Sequence, residues 1–177
     1  MSTLRYAAYG SNLHPRRLSL RIASARLLGT AFLEDWSLHF HKRSQDGSAK
    51  CTIREGGNGV HVAVFQLSRS DKAELDKIEG VGDGYSELLL DVPGFGACHS
   101  YIAADTHTDT ALQPYDWYKE LVLAGARLHG FPGDYIAQIE HTLICEDQDI
   151  RRRHAMREVV RAVRAGAHTE HRPRLGA

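Results

Sequence analysis

Residues 9–13, which read Tyr-Gly-Ser-Asn-Leu, have the composition of a tight turn between a strand and a helix. Glycine allows the backbone to turn sharply, and the N–H groups at a helix start face one direction without intrahelical partners. A turn of this kind can bind a carboxylate or stabilise an oxyanion. A structural alternative is that Asn12 only caps the helix. The candidate binding residues are Tyr9, Gly10, Ser11, Asn12 and Leu13.

Glu79 is the candidate for proton transfer. It ends a helix-favouring segment, residues 71–78, that begins with a serine cap, and Gly80 follows it as a stop signal. A carboxylate at a helix C-terminus meets the negative end of the helix dipole, and shielding from water would raise its pKa further. Such a group is suited to general acid–base catalysis. A solvated glutamate before a capping glycine is the alternative, so proximity to residues 9–13 must decide.

Other polar residues support weaker hypotheses. Ser11 lacks the Gly-x-Ser-x-Gly surroundings of an activated serine nucleophile. His39 and His41 share a strand face, but no third ligand is suggested, so we predict neither a metal site nor a cofactor. Lys42 and Lys50 flank a predicted hairpin and could attract a substrate carboxylate, although a solvated hairpin also explains them.

Composition narrows the class of protein. The 177 residues contain 22 Lys and Arg against 22 Asp and Glu, which argues against nucleic acid or an anionic membrane as partner. Cys51, Cys98 and Cys145 are odd in number and lack Cys-x-x-Cys spacing, so neither a disulfide framework nor a thiolate zinc site is expected. Without a long apolar run or a leader-like start, we predict a cytoplasmic protein that does not enter the membrane.

The elements that must position these residues follow from periodicity and turn signals. Strands are predicted early in the chain, at residues 4–9, 27–43 with a bulge at Gly29, 51–54, 60–67, 85–92 and 98–104. Helices are predicted at residues 13–24, 71–78, 116–128 and 132–143. This order predicts an α+β domain, with a small mixed β-barrel or a strongly curved sheet and flanking helices.

The C-terminal region is distinct in character. We assign residues 1–147 to the main domain, 148–164 to an extra amphipathic basic helix and 165–177 to a flexible tail. The apolar stripe of the helix is expected to dock on the domain or on a second subunit, and it consists of Ile150, Met156, Val159, Val160 and Val163. Arginines cover the opposite face, for which binding of RNA or an acidic partner is the alternative to simple solvation.

Several segments together resemble the γ-glutamylcyclotransferase family, also called AIG2-like. The resemblance begins with the turn 9–13 and continues with Leu-Asp-Lys-Ile-Glu-Gly-Val at residues 75–81. It extends through Tyr85, Tyr118-Lys119, Gly125-Ala126, Gly130-Phe131-Pro132 and Tyr135, and covers approximately residues 4–143. The combination is more specific than any one motif.

The resemblance implies a small mixed barrel that converts a γ-glutamyl amino acid or amine to 5-oxoproline and the free amine. It places the γ-glutamyl group on residues 9–13 and makes Glu79 the proton-transferring group. Tyr85 and Tyr118 match tyrosines that line the family's pocket. The expected partner is a small γ-glutamyl compound, and the family analogy also allows a homodimer.

The implied reaction needs neither a metal nor an enzyme nucleophile. The α-amino group of the substrate can attack its own γ-carbonyl, which gives a large effective molarity. That amine, with a pKa of about 8, needs a base, and the departing amine then needs a proton. The alternative is a catalytically idle binding or interaction module with the same fold.

Overall fold

The computed structural model describes residues 2–166. Its strands are β1 Thr3–Ala8, β2 Arg26–Leu33, β3 Trp36–Arg43, β4 Ala49–Glu55, β5 Val60–Ser68, β6 Tyr85–Val92 and β7 Gly96–Ala103. Its helices are α1 Pro15–Ser19, α2 Lys72–Glu79, α3 Asp116–Leu128, α4 Gly133–Glu140 and α5 Ile150–Gly166, with short 3-10 turns at Arg69–Asp71 and Asp105–His107. Strands therefore precede most of the helices, as the pattern predicted.

Five strands form one mixed sheet in the order β2-β5-β1-β7-β6, and β3 pairs with β4 in a separate two-stranded sheet. Strand β1 is antiparallel to β5 and parallel to β7. The run of apolar residues in β5 suits its interior position, since Val62, Val64 and Leu67 are fully buried. The turn 9–13 thus leaves the centre of the sheet, where β1 ends.

The predicted α+β class, with a mixed sheet and flanking helices, is confirmed, whereas the closed barrel is not. Within residues 2–166 no strand ladder joins the edge strands β2 and β6. A bulge between Leu27 and Gly29 interrupts the β2–β5 register, as the sequence predicted for Gly29. The ring of Phe95 lies against Gly29, because a Cβ built there would be 3.1 Å from it. Phe95, from the turn between β6 and β7, therefore packs against β2 at the bulge.

Local sequence signals predicted some helix ends correctly and others wrongly. Helix α1 starts at Pro15 with His14 as its N-cap, so Asn12 is not the cap and the helix is shorter than predicted. The predicted serine cap of α2 is wrong, since Ser68 makes no capping bond, but Gly80 ends that helix in the left-handed conformation. Helix α4 ends at Glu140, before its predicted end at residue 143, and Leu143 is 71% exposed.

Helix α5 docks on the main body. Val160 and Val163 are buried in the core, whereas Ile150 is 61% exposed, contrary to the predicted stripe. The fully buried carboxylate of Asp147 accepts hydrogen bonds from Trp117 Nε1 at 3.0 Å and from Arg152 Nε at 2.7 Å. The Arg152 guanidinium is the main reason that the pKa of Asp147 falls to about 2.

Several further arginines of α5 pair with carboxylates of the same chain, among them Arg157 with Asp116 of α3 at 2.8 Å and Arg164 with Glu120 of α3. These pairs explain much of the basic face without an external partner. The predicted flexible tail begins inside α5, and residues 167–177 lie outside the described part of the chain. No helix within residues 2–166 is long and apolar enough to cross a membrane.

Candidate active site

The turn that follows β1 lines a cavity and has backbone donors that make no hydrogen bond within residues 2–166. The Leu13 N–H donates to the Gly10 carbonyl at 3.0 Å, which closes the turn. Among the hydrogen bonds of the described residues, none uses the N–H of Ser11 or Asn12 as donor. Leu13 is fully buried in the core. Leu13 therefore shapes the turn, while Ser11 and Asn12 hold the N–H groups that remain open to a ligand.

Glu79 reaches this turn from the last residue of α2. The Asn12 amide donates from Nδ2 to Glu79 Oε1 at 2.6 Å and to the Tyr6 hydroxyl at 3.2 Å. Arg21 completes the cluster, because its guanidinium donates to Asn12 Oδ1 at 3.1 Å and lies 3.9 Å from Glu79 Oε1. Two segments that are 67 residues apart in the chain thus meet through one side-chain amide.

The environment of Glu79 raises the pKa of its carboxyl. Its side chain is only 18% exposed, and burial raises the pKa of the carboxyl above its ordinary value of 4.5. Arg21, the Asn12 hydrogen bond, Arg17 and Lys42 oppose this rise and lower the pKa, in decreasing order. Desolvation has the larger effect, so Glu79 has the raised pKa that general acid–base catalysis requires.

The carboxyl of Glu79 lies between two connected spaces. An inner cavity of about 30 Å³ is lined by Gly10, Ser11, Asn12, Cys51, Glu79 and the tyrosines Tyr6, Tyr9, Tyr85, Tyr101 and Tyr118. A wider outer hollow of about 280 Å³ shares Ser11, Glu79, Tyr85 and Tyr118 with it. The inner cavity has room for only a few atoms, so a ligand that reached Glu79 would extend into the outer hollow.

The tyrosine walls are fixed by hydrogen bonds to the backbone. Tyr118 accepts from the Cys51 N–H at 3.0 Å, and the Tyr85 hydroxyl donates to the Cys51 carbonyl. Tyr9 donates to the Tyr101 carbonyl at 2.5 Å. Burial raises the pKa of each of these hydroxyls and brings that of the Cys51 thiol to about 12. The walls are therefore uncharged, and Glu79 is the ionisable acid that faces both spaces.

The structure brings the predicted site residues together at one place, except that Leu13 lies behind the turn instead of lining the cavity. Sequence reasoning missed Tyr6, Tyr101, Cys51 and Arg21. The parallel pairing of β1 with β7, in register at Tyr6 and His99, brings Tyr101 to the site, and no local pattern indicates that pairing. Arg21 follows the end of α1. A prediction that ended this helix at the correct residue would have indicated that Arg21 lies outside it, near the turn 9–13.

With this geometry established, comparison with known proteins defines the class. Residues 59–139 match the model of the AIG2-like family. The chain is 33% identical to human gamma-glutamylcyclotransferase over 141 residues, or 73% of each chain, and 32% identical to the mouse protein over 144 residues, or 75% of each. A solved structure titled gamma-glutamyl cyclotransferase superposes with a TM-score of 0.77 at 25% identity, covering 91% of this chain and 99% of that one. The chain belongs to the γ-glutamylcyclotransferase family.

Proposed function

We propose that this protein is a γ-glutamyl cyclotransferase that converts a γ-glutamyl amino acid or amine to 5-oxoproline and the free amine. Homology indicates an enzyme of that family. The observation that carries the proposal is the 2.6 Å hydrogen bond from Asn12 to Glu79, because it holds the acid against the turn that would receive the substrate carbonyl. The partner is then a small γ-glutamyl compound, and a homodimer remains a prediction from family analogy.

Glu79 acts first as a base. The α-amino group, in its neutral form, attacks the γ-carbonyl of the same molecule, and the Glu79 carboxylate takes one of its two protons during the attack, so the ring nitrogen keeps a single N–H. A new C–N bond forms, and the carbonyl oxygen becomes an oxyanion. Protonated Glu79 then gives its proton to the departing nitrogen as the original amide C–N bond breaks. The carboxylate is regenerated, so proton and charge balance over the cycle.

The backbone of the turn 9–13 makes the second contribution to catalysis. The oxyanion formed in the attack would accept from the backbone N–H groups of Ser11 and Asn12, which have no other acceptor among the described residues. Each such donor contributes roughly 3 kcal/mol to transition-state stabilisation in comparable sites. The buried tyrosine walls keep these bonds away from bulk water, which strengthens them.

The direct test is release of 5-oxoproline from a panel of γ-glutamyl dipeptides and γ-glutamylamines. The expected result is equimolar 5-oxoproline and free amine from at least one of them. Matched α-glutamyl dipeptides and an N-acetylated γ-glutamyl dipeptide serve as controls, since the first misplaces the scissile carbonyl and the second lacks the nucleophile. Binding of a γ-glutamyl compound without turnover would favour the alternative of a non-catalytic binding module.

The pH dependence of the reaction should reveal the effect of Arg21 on the pKa of Glu79. Arg21 lowers the pKa of Glu79, so Arg21→Met lets that pKa rise, and we expect the acid limb of kcat/KM to move to higher pH. Arg16→Met is the matched control, because it removes the same charge from an exposed position on α1. Initial rates measured from acid to neutral pH distinguish the two. An acid limb in Arg21→Met that coincides with the native one would exclude this electrostatic role.

A further inference from the structure

The outer hollow carries four cationic side chains, and three of them are accounted for. Arg21 is engaged with Asn12 and Glu79, as described above. Lys50 donates to Asp46 Oδ2 and to the Ser48 hydroxyl, both at 2.7 Å. Lys77 is exposed at the rim, where water solvates its ammonium. The fourth cation, Lys42, is in a different situation.

Lys42 is a buried residue of β3 that faces the hollow. It is 7% exposed, and its ammonium lies 4.6 Å from the centre of the Tyr85 ring. The loop before β6 covers its stem, because a Cβ built at Gly84 would be 3.1 Å from Lys42 Cε. None of the hydrogen bonds or ion pairs formed within residues 2–166 uses the Lys42 ammonium.

A largely buried lysine without an ion partner is costly, because the partial desolvation of its ammonium is not repaid by a close anion. Burial lowers the pKa of Lys42, and the more distant carboxylates of Asp83, Glu79 and Asp46 oppose that shift. The ring of Tyr85 offers cation–π stabilisation but no hydrogen-bond acceptor for the three N–H donors. The position therefore favours an incoming anion that can reach the hollow.

The location of Lys42 indicates which part of a ligand the anion belongs to. Lys42 lines the outer hollow and is absent from the lining of the inner cavity, where Gly10 and Asn12 lie. A γ-glutamyl carbonyl held between the turn and Glu79 would direct the departing amine outward. The anion that meets Lys42 is then carried by that amine.

We propose that Lys42 is a specificity-determining residue whose ammonium binds a carboxylate on the leaving amine. The inference rests on the proposed function and adds a preference to it. Substrates in which the leaving amine is an amino acid are favoured over γ-glutamylamines and over neutral amide analogues. The contact is a charge-assisted hydrogen bond in a partly desolvated site. Such a bond discriminates strongly between a charged and a neutral leaving amine.

The test compares γ-glutamylalanine with γ-glutamylalaninamide, which has the same size and lacks the negative charge. We expect Lys42→Met to lower kcat/KM for the acid by about 10- to 100-fold and to leave the amide nearly unchanged. Lys42→Arg should restore part of the preference. Arg43→Met is the matched control, since it removes the same charge from the next residue, whose exposed side chain pairs with Asp109. A thermal unfolding midpoint for each variant checks that the fold is retained.

Two results would overturn the assignment: an equal loss for both compounds in Lys42→Met, or no loss for either. Calorimetric binding of the same two compounds separates this inference from the proposed function. If the native chain releases no 5-oxoproline but binds the acid more tightly than the amide, and Lys42→Met abolishes that difference, the reaction is wrong and the anion site stands. Equal or absent binding of the two compounds in the native chain refutes the anion site.

Discussion

Glu79→Gln is expected to lower kcat by roughly a thousand-fold, because the amide can neither take the proton from the α-amino group nor return it to the departing nitrogen. The substitution keeps the size of the side chain, and its carbonyl oxygen can still accept from Asn12 Nδ2. Substrate affinity should therefore change much less than turnover. Rates of 5-oxoproline release in single-turnover and steady-state experiments separate the two quantities.

The same variant should be at least as stable as the native chain at neutral pH. Since burial raises the pKa of Glu79, the folded chain binds this proton more tightly than the unfolded chain does. The stabilisation from that proton is complete below the unfolded pKa and is lost as pH rises through the folded pKa. Glutamine does not ionise, so the stability difference should shift in favour of Glu79→Gln between about pH 5 and about pH 8. Urea denaturation of both proteins at both pH values measures this difference in the free energy of unfolding.

Glu74→Gln provides the control for both measurements. It lies in the first turn of the same helix, is exposed, and loses the same charge without touching the cavity. Native-like turnover is expected. Comparable losses in the two variants, or a Glu79→Gln enzyme that keeps more than a tenth of native kcat, would remove Glu79 from the proton-transfer step.

Gly125→Ala is expected to have the largest effect among conservative changes outside the cavity. A Cβ at Gly125 of α3 would lie 2.4 Å from Leu13 Cβ and 2.9 Å from the His14 backbone nitrogen. Neither contact can be relieved by a flexible side-chain end, so α3 and the turn must separate. We expect a loss of about 1–3 kcal/mol in the free energy of unfolding. The displaced turn should also reduce kcat/KM by roughly a hundred-fold.

Gly133→Ala tests whether this effect comes from the contact or from the loss of a glycine. Gly133 begins α4, and a Cβ there would meet no atom within 4 Å. Alanine at that position should leave activity unchanged and stabilise the chain slightly, since it has the higher helix propensity. Urea denaturation and initial rates of all three proteins provide the comparison. A Gly125→Ala protein with native stability would show that α3 does not need this close approach.

The elements that the sequence predicted well are those whose signals are local. Helix α3 was predicted at residues 116–128, as observed, and the strands predicted at residues 85–92 and 98–104 lie within two residues of β6 and β7. Gly80 marked the end of α2 and therefore the position of Glu79. The turn 9–13 was recognisable for the same reason, and the family resemblance linked it to Glu79.

The remaining features depend on contacts between distant residues, which periodicity does not encode. The choice between an open sheet and a barrel depends on whether β2 pairs with β6, and nothing in either strand specifies that pairing. Lys42 follows Trp36, Leu38 and Phe40 at the two-residue spacing of a buried strand face, but its charge also suits a solvated hairpin, and the loop around Gly84 that covers it is distant in the sequence. Its burial required the tertiary structure, because the covering segment is about forty residues away.

The separate β3–β4 sheet has a consequence for how this architecture diversifies. This hairpin contributes Lys42, Ser44, Gln45 and Lys50 to the outer hollow, whereas the reacting groups come from the central strand β1 and from α2. Exchanging residues near the tip of the hairpin would alter which departing molecule is accepted while the acid and its turn stay in place. Under the proposed function, the tip of the hairpin would select the leaving amine, whereas Cys51 in β4 ties the base of the same hairpin to the inner cavity.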